Sequence, residues 1–215
     1  ADLLADLRPQ LIDVTIYGAT PETYEKMTHV PGAYARCRRG IDLLLEHSLP
    51  VFLKTTLTTI NQHELPAFHA IADQLGVNFR YDNLLWPRLD GSTQSSQYQL
   101  SIEKIIALDA QDPERMQELA KVAESFSGKR VRAEYLYSCG AGLQSFHIDS
   151  AGQMSICIMS RHPSYDLMTL SFKEAWKRIG ELRQVKRQMD TPCLTCTLGG
   201  LCAQCPGWSQ AIHGD

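Results

Sequence analysis

The chain has 215 residues, 44% of them hydrophobic and 21% charged, with a formal net charge of −3. That is an ordinary globular composition, with room for one large domain or two small ones. The mildly acidic balance leaves no footprint for nucleic acid or an anionic membrane surface, and no apolar run is long enough to cross a bilayer.

Residues 11–19, L-I-D-V-T-I-Y-G-A, are apolar and β-branched and end at glycine, which predicts a buried strand. Thr20-Pro21-Glu22 predicts a helix start, with threonine as cap, proline at the first helical position and an acid in the first turn. Tyr34 to His47 is helical by spacing, with Ile41, Leu44 and Leu45 on one face. P-V-F-L-K-T-T-L-T at 50–58 predicts the next strand, Leu65 to Leu75 a helix stopped by Gly76, and Val77 to Trp86 a third strand. This alternation is the grammar of parallel α/β units, in which ligands bind at the carboxyl ends of the strands. Three strands do not close a barrel; they suit a partial barrel or an open sheet.

Residues 87–100 are a polar linker, and a helix follows Asp112-Pro113 through Met116, Leu119 and Val122. The pattern then changes. Gln144 to Met159 predicts a hairpin, with strand F-H-I-D, turn S-A-G-Q and strand M-S-I-C-I-M, the turn relying on Gly152. Ser171 to Glu174 is a capping box before a helix that carries Trp176, Ile179 and Leu182 inside and Lys173, Lys177, Arg178 and Arg183 outside.

Cysteine is concentrated at the end. Apart from Cys37, which stands alone in a helical stretch as a free thiol, the seven cysteines lie after residue 138. Cys139 and Cys157 come first, followed by the compact group Cys193, Cys196, Cys202 and Cys205. Paired C-x2-C spacing turns two sulfurs toward one centre and favours metal over disulfides in a reducing compartment. Zinc and iron–sulfur both remain open on spacing alone. The short gap between the two pairs crowds a single tetrahedral zinc, since zinc-ribbon knuckles commonly stand about 15–20 residues apart. His147 and His213 are further candidate ligands, set against ordinary surface histidines. Asp82, Asp90 and Asp149 are candidate bases, set against solvated carboxylates, and Trp86 and Trp208 read first as core.

This cysteine pattern resembles the SPASM domain, the carboxyl-terminal module of radical SAM enzymes that modify peptides and proteins. Cys139, the run from Gly152 to Cys157, and Cys193-x2-Cys196-x5-Cys202 match that pattern; Cys202-x2-Cys205 is one residue short of its commonest form, and the last cysteine is absent. The first half is similar to the later part of a radical SAM barrel, with V-T-I-Y-G-A-T-P-E-T-Y, P-V-F-L-K-T-T-L-T and N-F-R-Y-D-N resembling its fourth, fifth and sixth strands. The resemblance implies an α/β fold: the C-terminal half of a partial (β/α)6 radical SAM barrel over residues 1–90, a polar linker and helix over 91–130, and a small α+β SPASM iron–sulfur domain over 131–215.

It also implies two auxiliary [4Fe–4S] clusters, one on Cys139, Cys157 and Cys205 and one on Cys193, Cys196 and Cys202. Pro206-Gly207-Trp208 would cover the first. Thr15, Tyr17, Lys54 and Thr56 would form part of the S-adenosylmethionine wall, with Thr58 in the same strand direction; Tyr17 stands where the family carries an acid, and ordinary strand packing is the competing reading for all of them. The radical-generating Cys-x3-Cys-x2-Cys motif is absent from this chain. We therefore expect S-adenosylmethionine and a third cluster in a longer parent, cut at both ends here, and no cofactor cleavage by this piece alone. Expected partners are a peptide or protein substrate and a reductant such as flavodoxin or ferredoxin, with no nucleic acid and no membrane, in the cytoplasm. The rival functions are a zinc-ribbon-like interaction module and an iron–sulfur electron-transfer protein.

Overall fold

The computed structural model describes residues 1–86, 88, 90, 92–126, 134–187 and 205–213, without the side chains of 126, 212 and 213. The compact cysteine group at 193–202 lies outside the described residues. The chain divides into two units, Ala1–Leu85 with Gln94–Leu108, and Trp86–Thr93 with Asp109–Asp215.

The first unit is built on a parallel three-stranded sheet. Its elements are α1 (Asp2–Leu7), β1 (Ile12–Thr15), α2 (Pro21–Thr28), α3 (Ala33–Glu46), β2 (Val51–Thr56), α4 (Leu65–Leu75), β3 (Asn78–Asp82) and α5 (Ile102–Asp109), in strand order β1-β2-β3. Side chains alternate across β2. Leu53 and Thr55 face inward, while Phe52, Lys54 and Thr56 face the other way and are only partly covered. The inward row meets Ile41 of α3 and Phe68 and Ala72 of α4, so both helices cover one face of the sheet. In register, Thr15 lies beside Lys54 and Lys54 beside Arg80, with Thr56 beside Asp82.

Helix boundaries follow their caps. Thr20 Oγ1 accepts from the Thr23 amide at 3.3 Å to start α2, and Gly76, at φ 64°, ends α4 as a left-handed stop. The strands are shorter than the apolar runs that predict them. The run at 11–19 has its last register pair at Thr15, with one more bond from the Ile16 amide to the Lys54 carbonyl at 2.8 Å, because the backbone must turn at Gly18, where a Cβ would lie 2.3 Å from the Tyr24 nitrogen. The run at 50–58 ends at Thr56, where Thr58 leaves the strand to bond Asn61, and the run at 77–86 ends at Asp82. The stretch read as a linker includes a 3-10 turn at Gln94–Tyr98, and α5 follows it unpredicted, with Leu108 buried.

The second unit holds α6 (Pro113–Phe126), an antiparallel sheet of β4 (His147–Ile148), β5 (Gln153–Ser155) and β6 (Ser164–Asp166), then α7 (Phe172–Leu182) and α8 (Pro206–His213). The hairpin stands where the pattern places it, and Gly152 takes φ 77°. Its second strand is cut at Ser155, so Cys157 lies in the loop beyond. Both β6 and α8 are additions to the expected elements. The capping box of α7 is half formed: Ser171 Oγ accepts from the Glu174 amide at 3.2 Å, but the Glu174 carboxylate turns to Arg178. Met154, Ile156, Ala175 and Ile179 are fully buried and make the small core.

Leu53 is fully buried at the centre of the first unit. We expect Leu53→Ala to destabilise it by about 2–5 kcal/mol through lost transfer energy and residual cavity, read as a lowered urea midpoint at unchanged m-value.

Candidate functional site: strand ends and thiols

At the carboxyl ends of β1 and β2 the structure places a buried clamp that sequence reasoning missed. Asn61 is fully buried. Its Nδ2 donates to the Tyr17 carbonyl at 3.2 Å and the Thr56 carbonyl at 3.1 Å. Its Oδ1 accepts from the Thr58 amide at 2.8 Å and hydroxyl at 3.1 Å. Three residues on, the buried Glu64 carboxylate accepts from the Ala19 amide at 2.7 Å and the Thr20 hydroxyl at 2.6 Å. One short turn therefore fixes the loop after β1 from across the sheet. In sequence these two residues look like an ordinary polar loop; the available signal is an amide and an acid three apart directly after a strand.

The four residues expected on the cofactor wall fall on the sheet face away from α3 and α4, or at its end. Thr15 and Thr56 make no side-chain hydrogen bond among the described residues, and Tyr17 is 39% exposed. Lys54 is committed elsewhere, since its Nζ lies 3.1 Å from Asp13 Oδ2, which also takes Arg80 Nη2 at 3.2 Å. Thr58 is buried against Asn61 and does not share that face. Tyr17, Tyr24 and Tyr34 contact edge to face in series. Burial, reinforced by the Cys37 thiol hydrogen-bonded to it, pushes the Tyr24 hydroxyl well above its ordinary value. Cys37 is thus a half-buried free thiol packed against the core.

In the second unit Cys139, Cys157 and Cys205 are all free thiols. They come from three separate segments, and each lies near enough to the buried Tyr137 hydroxyl to act on it electrostatically. The Tyr137 hydroxyl is raised chiefly by burial; its hydrogen bond with Ser160, at 2.8 Å, opposes that, and negative charge on Cys157, Cys205 and Cys139 raises it further. The Cys157 sulfur accepts the Ser160 amide at 3.2 Å. Arg183 donates to the Cys139 and Ala141 carbonyls at 2.6 Å each, holding the first thiol's loop to the end of α7. Gly207 lets the start of α8 touch the Met159 backbone, where a Cβ would lie 2.7 Å from its carbonyl carbon, and so brings Cys205 toward the Cys157 loop. Trp208 packs on Trp86 at 4.6 Å, although Trp86 remains 46% exposed. Among the described residues no three His, Cys, Asp or Glu side chains close on one ion. A mononuclear tetrahedral zinc on this trio would need its sulfurs about 3.8 Å apart, from a Zn–S bond of about 2.3 Å. A cubane spreads its ligands over several irons, and the all-thiol donor set is the chemistry it takes.

The remaining candidates have structural partners. Asp149 Oδ1 accepts from the Ala151 and Gln153 amides at 2.9 Å each and closes the hairpin turn. Asp90 bonds Ser92 and Arg88, while Asp82 is exposed at the end of β3. His147 Nε2 is buried with no hydrogen-bond partner among the described residues. The His213 side chain and Cys193, Cys196 and Cys202 lie outside the described residues.

Known proteins match this chain in sequence and in fold. An AdoMet-dependent heme synthase of Methanosarcina barkeri is 24% identical over 226 residues, covering 96% of this chain and 65% of the relative. Two solved structures of anSMEcpe share the fold at 12% identity. One, with bound AdoMet, has a TM-score of 0.67 over 99% of this chain and 60% of that one. The other, with AdoMet and the Kp18Cys peptide, has a TM-score of 0.62 over 93% and 60%. These likenesses in sequence and in fold support a radical SAM/SPASM-type protein. No protein-family model matches it. It spans somewhat under two thirds of the length of these relatives, and no helix among the described residues is long and apolar enough to cross a membrane.

The turn at Asp149 gives a pH prediction. Its backbone hydrogen bonds, that of Gln153 first, hold the carboxyl below its ordinary value. The unfolded carboxyl, near 3.9, therefore takes its proton first as pH falls. The turn's contribution is full above that pH and is lost as pH drops through the lower folded value. The wild-type urea midpoint should fall across this acid window relative to Asp149→Asn, whose midpoint lacks this component; parallel pH profiles for the two proteins would exclude it.

Proposed function

We propose that this chain is the carboxyl-terminal part of a radical SAM enzyme that modifies a peptide or protein and carries two auxiliary [4Fe–4S] clusters. In this reading β1, β2 and β3 are the later strands of a partial barrel, and residues 131–215 form a SPASM domain. Cys139, Cys157 and Cys205 hold the first cluster, and Cys193, Cys196 and Cys202 hold the second. AdoMet and a third cluster belong to the longer protein, with a Cys-x3-Cys-x2-Cys motif outside these residues. The observation that carries the reading is that free thiols from three separate segments, Cys139, Cys157 and Cys205, all lie near enough to Tyr137 to act on it electrostatically. The AdoMet named for both relatives and the peptide bound to one of them support the cofactor and the substrate class.

When bound, the clusters supply one-electron chemistry: one cleaves AdoMet reductively, and the auxiliary pair accepts or relays the electron left after hydrogen abstraction. The chain's own residues bind and orient. The Ser160 amide donates to the Cys157 sulfur and withdraws charge from it, which raises the potential of a ligated centre. Arg183 fixes the Cys139 loop by its carbonyl and adds positive charge nearby. Pro206, Gly207 and Trp208 cover this region and limit water. In the first unit Asn61 and Glu64 hold the loop after β1, while the hydroxyls of Thr15, Tyr17 and Thr56 remain available to a ribose. Lys54, tied to Asp13, contributes field rather than contact. A flavodoxin- or ferredoxin-type protein in the cytoplasm is the reductant.

Anaerobic reconstitution of the chain should give a brown protein with about eight irons, two cubanes' worth, with Cys157→Ser lowering this toward about four. A colourless protein holding zinc sinks the reading and leaves an interaction module. An iron protein whose gene lacks Cys-x3-Cys-x2-Cys upstream leaves an electron carrier.

A further inference from the structure

Helix α7 carries an aromatic stripe that is partly exposed among the described residues. Phe146, Phe172 and Trp176 touch one another, Phe146 lying 5.3 Å from Phe172 and 5.6 Å from Trp176. Phe146 is 43% and Phe172 48% exposed. One turn beyond Trp176 along the same stripe stands Gly180. Glycine inside a helix is disfavoured relative to alanine, because it loses more backbone freedom on folding. That disadvantage is accepted where something must approach closely, yet among the described residues nothing lies within 4 Å of the position a Cβ would take at Gly180. The notch is open, and the chain itself offers no reason for it.

Charge indicates what fits. Lys173 and Lys177 stand one turn apart beside the stripe and make no ion pair among the described residues, whereas Arg178 is held by Glu174 and Arg183 by backbone carbonyls. Residues 173–187 carry Lys173, Lys177, Arg178, Arg183, Lys186 and Arg187 against Glu174 and Glu181, in a chain whose net charge is −3. An acidic partner is repelled by the rest of the surface and steered to this helix. Exposed aromatic rings are the usual anchors of a protein interface. We propose that this face of α7 docks an acidic segment of a partner protein, an apolar side chain resting on the rings and the segment's backbone passing over Gly180. The inference stands independently of the clusters.

The test uses the full chain and a short fluorescein-labelled peptide of glutamate and leucine, read by anisotropy. Binding should weaken with added salt. Gly180→Ala separates docking from folding: it should raise the thermal midpoint by a few degrees while weakening binding by roughly tenfold or more. Lys173→Glu with Lys177→Glu, both exposed, should remove binding with the far-UV spectrum unchanged, and keeps the test decisive if Gly180→Ala perturbs the fold. Three results overturn the proposal: Gly180→Ala binding as wild type, a lysine–leucine peptide binding equally well, or sedimentation showing that self-association covers the face and excludes the peptide.

Discussion

The carboxamide of Asn61 joins two neighbouring strand ends at a point where the sheet itself offers no further bond. The last bonds across the sheet are those of the Ile16 amide to the Lys54 carbonyl and the Leu57 amide to the Asp82 carbonyl, so the Tyr17 and Thr56 carbonyls would be left without backbone donors. A buried carbonyl with no partner costs about 1–3 kcal/mol, and Asn61 satisfies both while its own oxygen is met by Thr58. Glu64 completes the arrangement with a carboxylate at the start of α2, where the helix dipole favours negative charge. Whatever lies at the open end of this sheet meets loops held from beneath by two side chains of one turn.

The second unit depends on an analogous economy with other chemistry. Its core is small, and the segments bearing Cys139 and Cys157 have little regular structure, while Cys205 directly precedes α8. They are positioned by single contacts: Arg183 on two carbonyls, Tyr137 on Ser160, and Gly207 against Met159. None of these left a mark in the sequence. An arginine on a basic helix reads as solvated, and a glycine after Pro206 reads as a turn. The cysteines themselves were legible because sulfur is rare and its spacing is constrained by the geometry of ligation.

The same contrast explains which elements could be read in advance. Helices α2, α4 and α7 begin or end at residues with a local mechanism, namely Thr20, Gly76 and Ser171, and these stand where the pattern placed them. The strands were read too long because an apolar run records burial, not pairing: Ile16 and Leu57 are buried in the core, and each gives only one last backbone bond across the sheet, to the Lys54 and Asp82 carbonyls, before the chain turns away. β6 and α8 were missed for the opposite reason. S-Y-D is too short to show a period of two, and P-G-W-S-Q-A-I-H places a glycine in its first turn, which argues against a helix unless the close approach to Met159 is known.

The charges on the open face of the sheet bear on which ligand it suits. Asp13, Lys54 and Arg80 come from three different strands and join through one carboxylate oxygen. Each of these pairs is partly exposed and worth at most about 1 kcal/mol, so their main consequence is occupancy: one carboxylate orients two cations below the strand ends and leaves the trio with one net positive charge. Arg80 also lies over the Phe52 ring at 5.5 Å, which further fixes its position. Nearer the ends, the groups without side-chain partners are the hydroxyls of Thr15 and Thr56, with Tyr17 exposed above them and the Asp82 carboxylate exposed beside Thr56. The Asp82 carboxylate offsets that positive charge, so among the described residues this face is close to neutral and offers hydroxyls rather than a strong field to a ligand. The ribose of AdoMet suits such a face, whereas Lys54, the residue that most resembles a ligand contact in the sequence, is already held by Asp13.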